Sequence, residues 1–401
     1  MLVSAFALAA SATSGVDAAP HPTHHGHVPH SHTHAPAEID EKHGAILLQL
    51  TYTGEVMGNA SGGVRRGTRY LDNLDVVFEA DMENLVGWTG AQVHVYGLYN
   101  NGKSISDLAG DTQAVSNIEA GTQAFRLYEA WIDQKIGDRL SVKAGLYDLN
   151  SEFDALDAAG LFVSSPHGIG TDFAQSGQNG PSIFPSTSLA ARVQWAPAEG
   201  WAVRAAVLDG FPGDPDHPGR TAVKLGHGDG ALLVGELEAP LGGGKLLLGR
   251  WQYTARFDRN DGTGTGRGNA GTYVRGEFPL FDGAERKIDA FFRLGTATGR
   301  FNMFDTFASG GLKFSGWVPG RDEDEFGIAL AAAFTSDSYR AATNSGRSEV
   351  AIEATYRAPL TAWLALQPSV HYVRNPSATP GIADALVLGL RAEATFSLAG
   401  F

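Results

Sequence analysis

The chain has 401 residues, of which 43% are hydrophobic and only 18% charged, with 51 Gly, no Cys and a formal charge of -14. The missing thiols exclude a disulfide scaffold, a thiol nucleophile and any Cys-ligated metal centre. The acidic balance argues against a nucleic-acid partner, since phosphate neutralisation needs a basic surface. No run of about 18 uncharged apolar residues is present, so a transmembrane helix is not available either.

In chain order, Leu2 to Ala12 form an apolar stretch followed by small residues, and residues 1–19 are read as an export signal although a charged start is missing. Residues 20–44 form a His-rich leader with His21, His24, His25, His27, His30, His32 and His34 among Pro, Thr and Gly. It cannot build a core, and disorder in the periplasm is expected. Its imidazoles, His21, His24, His25 and His27 first, are weak metal-ligand candidates without an acidic co-ligand; a solvated tether is the simpler reading, and no cofactor is expected.

From residue 45 to 401 the pattern changes to segments of about ten residues with a period of two. Leu74, Val76, Phe78 and Ala80 oppose Asn73, Asp75 and Glu79; Leu189, Ala191, Val193 and Trp195 oppose Arg192 and Gln194; Val350, Ile352, Ala354 and Tyr356 oppose Glu349 and Glu353. Segments start near residues 45, 70, 90, 122, 139, 188, 201, 230, 244, 270, 286, 306, 325, 347, 362 and 384, which gives sixteen strands. Their connections fall into two alternating classes. Short turns such as 135–138, 197–200 and 240–243 follow even-numbered segments, whereas mostly longer loops, among them 101–121, 150–187, 211–229 and 257–269, follow odd-numbered ones. Short turns on one rim and long loops on the other are the pattern of an all-β, 16-stranded antiparallel transmembrane barrel.

Trp88, Trp131, Trp195, Trp201, Trp317 and Trp363 lie close to short turns and are read as an aromatic girdle, with Trp251 elsewhere. In a bilayer the apolar face of each strand is outside. The polar face then places Lys143, Arg192, Arg204, Arg250, Arg275, Arg293, Lys313 and Arg391 inside, opposite Asp75, Glu79, Glu236, Glu238, Glu277, Glu349, Glu353 and Glu393. Charges of both signs give a transverse field suited to solutes that donate and accept hydrogen bonds, and Tyr96 and Tyr147 offer flat surfaces; an ordinary hydrated, salt-bridged wall is the plainer reading of the same residues. The segment 150–187 exceeds what a connection needs and carries Phe153, Phe162, Phe173 and Phe184, so it is the candidate for a loop folded into the pore, with an external cap as the alternative.

The motif Arg126-Leu-Tyr-Glu129-Ala-Trp131, then Gly145-Leu-Tyr-Asp148-Leu-Asn150 with Phe153, and later Gln367-Pro368-Ser-Val-His-Tyr372 with Asn375-Pro376 and the final strand from Asp384, resembles the carbohydrate-selective porins of the OprB family over roughly residues 46–396. The resemblance implies an outer-membrane channel in a Gram-negative bacterium for passive diffusion of glucose-like sugars into the periplasm. It also carries Arg126, Glu129 and Trp131 into the constriction. With Lys143, Arg192, Arg204, Glu349 and Glu353 these are the candidate substrate-path residues.

The expected partners are permeating sugars, outer-membrane lipid and the barrel insertion machinery, with a homotrimer possible among sixteen-stranded porins. Long loops are expected outside the cell and both termini in the periplasm. A general or other-solute porin is the alternative, and a barrel enzyme or structural barrel a further one. No GxSxG, HExxH or GxxxxGK[ST] motif occurs, so an enzyme is not expected. At the C-terminus Phe401 is out of step with Leu398 and Phe396, and a bulge near Ala399-Gly400 is expected to reconcile them.

Overall fold

A computed structural model describes residues 45–226 and 228–400; the expected export signal, the His-rich leader with its metal-ligand candidates, His227 and Phe401 lie outside them. The described chain forms strands β1 (Ile46–Gly63), β2 (Gly67–Asp81), β3 (Ala91–Gly102), β4 (Ala124–Ile136), β5 (Leu140–Tyr147), β6 (Ser188–Trp195), β7 (Ala202–Asp209), β8 (Ala231–Leu241), β9 (Gly244–Tyr253), β10 (Phe257–Asp258), β11 (Thr265–Gly266), β12 (Ala270–Asp282), β13 (Lys287–Ala297), β14 (Phe304–Ser315), β15 (Glu325–Thr335), β16 (Ser348–Thr361), β17 (Leu364–Arg374) and β18 (Ala383–Gly400). Short helices α1 (Met82–Val86), α2 (Ser106–Ala109), α3 (Thr171–Ala174) and α4 (Asp337–Thr343) sit in the connections.

Sixteen strands close into one antiparallel barrel in which every sequential neighbour pairs, and β10 with β11 forms a separate hairpin between β9 and β12. Closure is the pairing of β1 with β18, from Ile46 opposite Gly400 to Asn59 opposite Val387 without a shift. This continuous register contains no bulge near Ala399, so that expectation fails. Phe396 and Leu398 remain on the outer face instead.

Turn chemistry sorts the rims. Gly242 and Gly243, with φ of 60° and 81°, form the two-residue link between paired Leu241 and Gly244, where an L-residue would be strained. On the opposite rim lie residues 103–123, 148–187 and 210–230, although β1 and β2 are joined there by only three residues, 64–66.

The period of two has the sign that a bilayer requires. Val56, Val193, Leu237, Leu248, Ile352 and Leu388 are exposed on the outer surface, while Glu55, Arg192, Glu236, Arg275, Glu349, Glu353 and Arg391 are buried inside. Two assignments made from the pattern change. Arg250 shares the outward parity of Leu248 and is exposed, because Leu247 and Trp251 take the inner positions of β9. Trp131 likewise faces the lumen and is buried, whereas Trp88, Trp195, Trp201, Trp317 and Trp363 are exposed close to the short turns. Proximity to a turn fixes a tryptophan's height, and parity alone fixes its face.

A β-bulge decides a third point. Tyr96 pairs with Glu129 and the next residue, Gly97, pairs with Leu127, which leaves Tyr128 as the extra residue. Arg126 and Glu129 differ in parity, yet the bulge turns both inward, where both are buried.

If the outer face is the lipid face, Leu388→Arg on β18 should destabilise the protein refolded in vesicles by about 2–4 kcal/mol in urea titration. A change below about 0.5 kcal/mol would show that Leu388 does not meet hydrocarbon.

Candidate functional site: a lumen filled by two loops

The inner wall presents more buried charge than its strands alone can neutralise, and two long connections supply the partners. The first, residues 103–123, packs Ile105 and Leu108 of the α2 turn, Val115 and Ile118 against Met57, Leu71, Val373, Ala385 and Val387. Its polar atoms meet the wall: the Thr112 and Gln113 amides both donate to Glu349 at 2.9 Å, and Ser116 Oγ donates to Glu55 at 2.6 Å. Arg391 donates to Glu55 and to the side-chain oxygen of Asn117.

The second connection, 148–187, crosses to the far wall. Asp154 lies between Arg275, at 2.8 Å, and Arg293, at 2.9 Å, and Arg293 also reaches Asp172 at 2.5 Å. The Asp154 amide donates to Glu236 at 2.8 Å and the Ala158 amide to Glu277 at 2.8 Å. The Val163 and Ser164 amides donate to Glu353 at 2.7 and 2.8 Å, and Gln367 donates to the Leu161 carbonyl at 2.6 Å. Phe173 on α3 stacks on Trp251 with centroids 4.9 Å apart and planes at 5°, while Phe153, Phe162 and Phe184 are also buried.

The loops brace each other, since the Asn117 amide donates to the Val163 carbonyl at 2.9 Å and the Ser165 amide to the Ala114 carbonyl at 3.0 Å. Asp154, Arg275 and Arg293 are almost fully buried. Removing one member of such a group costs about 3–5 kcal/mol, because the others lose their counter-charge.

Of the candidate substrate-path residues, Glu129, Trp131, Lys143 and Arg192 come together. Glu129 accepts from the Trp131 indole at 3.2 Å and from the Asp148 amide at 2.9 Å. Trp131 stacks on His94 with centroids 4.6 Å apart, and Lys143 Nζ stands 3.8 Å from its ring centre. Lys143 and Arg192 meet at Glu152, at 2.9 and 2.7 Å, and Arg192 also pairs with Asp133 at 2.9 Å.

Arg204 continues the chain of charges to Glu236 at 3.1 Å and Glu238 at 2.8 Å. Arg126 sits apart, donating to Asn100 at 2.8 Å and to the Pro218 carbonyl at 2.8 and 3.0 Å. Glu349 and Glu353 are on the far wall, engaged by loop amides. Tyr96 and Tyr147 are buried, with hydroxyls on Asp75 at 2.7 Å and Glu152 at 2.6 Å.

Glu152, Asp154 and Asp172 were not singled out from the sequence, although they hold the second loop to four basic wall residues. The available signal was acidic residues in an over-long loop opposite a wall with several inward arginines. Burial alone would raise the Glu152 carboxyl, but Lys143 and Arg192 overcome it and hold it far below the ordinary range.

Toward the short-turn rim the lumen stays partly exposed. There Lys245 pairs with Glu277 and Asp157, both at 3.0 Å, Lys313 with Glu325 at 3.4 Å, and Arg357 with Glu393 at 3.0 Å. With Arg204 and Glu238, and with Asp133 and Glu152 held by the buried Arg192 behind them, these make a partly accessible inner belt in which each cation adjoins an acid.

The sequence signature of the carbohydrate-selective porins, OprB family, matches residues 65–396. Porin B of Pseudomonas aeruginosa is 24% identical, with 87% of each chain covered. Among solved structures, the high-pH structure of Pseudomonas putida OprB is similar with a TM-score of 0.77 at 21% identity, covering 88% of this chain and 94% of that one. The low-pH structure gives 0.56 at 18%, covering 92% and 98%. The OmpF structure from Salmonella typhi gives 0.57 at 9%, covering 89% and 99%.

The first loop also sets a pH dependence. Burial pushes the Asp111 carboxyl up to about 6, and burial together with the Asp111 charge raises Glu119 well above its ordinary value. A carboxyl raised on docking favours the docked loop fully below its free value of 3.8, and that advantage is lost as pH rises through about 6. For Asp111 alone the change is on the order of 2–3 kcal/mol. Amide exchange in residues 103–123, corrected for its intrinsic pH dependence, should therefore show weaker protection at pH 8 than at pH 5, and Asp111→Asn should flatten the difference. Protection that strengthens with pH would contradict this assignment.

Proposed function

As the chain belongs to the carbohydrate-selective porins of the OprB family, we propose that it passes monosaccharides and small carbohydrates passively across the outer membrane, with its long loops outside the cell and its termini in the periplasm. The observation that carries the sugar assignment is the belt of adjoining cations and acids on the accessible part of the lumen. A dissolved sugar leaves water only if its hydroxyls find both donors and acceptors, and Arg204 beside Glu238 or Lys245 beside Glu277 offers both within one reach. Neighbouring opposite charges cancel at a distance, so the belt does not select strongly by ion sign. Contacts must also stay weak, since a conducting channel has to release what it binds.

In this reading Arg204 borders the path directly, and the buried Lys143 and Arg192 hold Glu152 at its edge. Glu129 and Trp131 position Lys143, Arg126 fixes loop 210–230, and Glu349 and Glu353 fix the loops that narrow the lumen. The barrel insertion machinery is proposed to deliver the chain, and the fold's low wall supports a homotrimer. Strands β5, β6 and β7 have eight residues each, and eight residues tilted by about 40° rise only about 20 Å, short of the roughly 25 Å apolar band. Burial against neighbouring subunits removes that mismatch.

The test is liposome swelling with the purified full chain. Glucose should permeate faster than amino acids of similar mass, and Arg204→Ala with Glu238→Ala should narrow that difference. Rates ordered by solute size alone would leave a general porin, and absence of swelling would reject the channel.

A further inference from the structure

Where β9, β12, β13 and β14 approach the long-loop rim, the outer surface changes character within one row of side chains. Leu248, Val274, Leu294 and Ala308 stand opposite one another across the four strands and are apolar. The next outward row is Arg250, Thr272, Thr296 and Thr306, again in direct register. So abrupt a change marks the edge of the hydrocarbon zone.

Arg250 is exposed there, with only a 3.4 Å contact from Nη1 to Thr272 Oγ1. Beyond it the alternation continues: Gln252, Thr254 and Arg256 are exposed while Trp251, Tyr253, Ala255 and Phe257 are buried. The β10–β11 hairpin and the neighbouring turn add Arg259, Arg267 and Arg300, all exposed.

Hydrogen bonds gather these side chains. Arg256 donates twice to Thr265 at 3.0 Å, Arg267 to the Thr254 carbonyl at 3.3 Å, and Arg300 to the Arg267 carbonyl at 3.0 Å. None of the five arginines has an ion pair within 4.0 Å among the described residues, although Asp258 and Asp261 share the hairpin. Arg259 acts electrostatically on Asp261, but in a chain of net charge -14 the other four guanidinium groups, at the edge of a lipid-facing surface, call for an anion from outside the protein.

We propose that this face binds the phosphorylated headgroup of a glycolipid in the outer leaflet, with phosphate oxygens taken by Arg250, Arg256 and Arg267 and sugar hydroxyls by the threonine row. Planar guanidinium forks match phosphate bidentately. Each basic side chain near an anionic lipid surface strengthens attachment severalfold. The assignment rests on the proposed orientation with long loops outward. Bound lipid would then pin the β9–β14 side of the barrel, opposite in the chain order to the closing strands.

The experiment titrates the refolded full chain in detergent with diphosphorylated lipid A, with the dephosphorylated glycolipid and with inorganic phosphate. Compared are the native protein, Arg250→Gln alone, the triple variant Arg250→Gln, Arg256→Gln, Arg267→Gln, and Arg286→Gln with Lys287→Gln on the other rim. Native protein and the Arg286, Lys287 control should bind phosphorylated lipid alike, Arg250→Gln more weakly, and the triple variant about tenfold more weakly or worse.

Equal binding by the triple variant, equal binding of the dephosphorylated glycolipid, or displacement by submillimolar inorganic phosphate would each overturn the assignment. Heat-modified electrophoretic mobility checks that every variant folds, and Arg250→Gln serves if the triple variant does not. All variants should retain native glucose swelling, so a protein that binds phosphorylated lipid yet passes no sugar contradicts the channel alone.

Discussion

A backbone amide or carbonyl in hydrocarbon finds no water, so a sheet that crosses a bilayer has to leave no open edge. In this chain that constraint is met by the antiparallel pairing of β1 with β18. Strand closure fixes the parity of every side chain, because moving a strand by one residue would exchange its faces. Leu388 and Val56 then have to face out and Glu55 and Arg391 in. The inner wall thereby acquires charges that cannot be left unpaired, and the two long loops enter to satisfy them, the first with amides and neutral side chains and the second with carboxylates as well. Asp154 between Arg275 and Arg293 is the clearest case, for neither the strands nor the loop would carry those charges dry without the other.

This ordering explains why the pore is narrowed by acids from loops and backbone amides together. Wall arginines capture loop carboxylates, whereas wall carboxylates capture loop amides: Glu349 holds Thr112 and Gln113, and Glu353 holds Val163 and Ser164. Apolar anchors add a second grip through Phe173 on Trp251 and through Ile105 and Leu108 against β1, β17 and β18. What remains open to water is the belt near the short turns, with alternating signs. The electrostatics of a sugar path thus follow from strand parity and loop docking rather than from a separately built pocket.

Much of the barrel was legible in the sequence because a period of two repeats the same information on every strand. Segment starts near residues 188, 244, 270 and 325 coincide with β6, β9, β12 and β15. The misread positions share a cause, namely that local position was used where parity decides. Trp131 was placed by its distance from a turn and Arg250 by its charge, yet their strands put the first inside and the second outside. The bulge at Tyr128 leaves no composition signature, and only pairing with β3 reveals why Arg126 and Glu129 share a face. Glu152, Asp154 and Asp172 escaped notice because their partners are wall residues from other parts of the chain, and a loop's own sequence has no period to say where it will dock.

The central claim is that parity divides the chain into a lipid face and an ion-paired lumen. Single-tryptophan variants in vesicles of brominated lipid test it most directly, since bromine quenches only indoles that reach the acyl region. The account predicts strong quenching for a variant retaining Trp195 and almost none for one retaining Trp131, although both lie near short turns. Equal quenching of the two, or quenching of Trp131 alone, would contradict it.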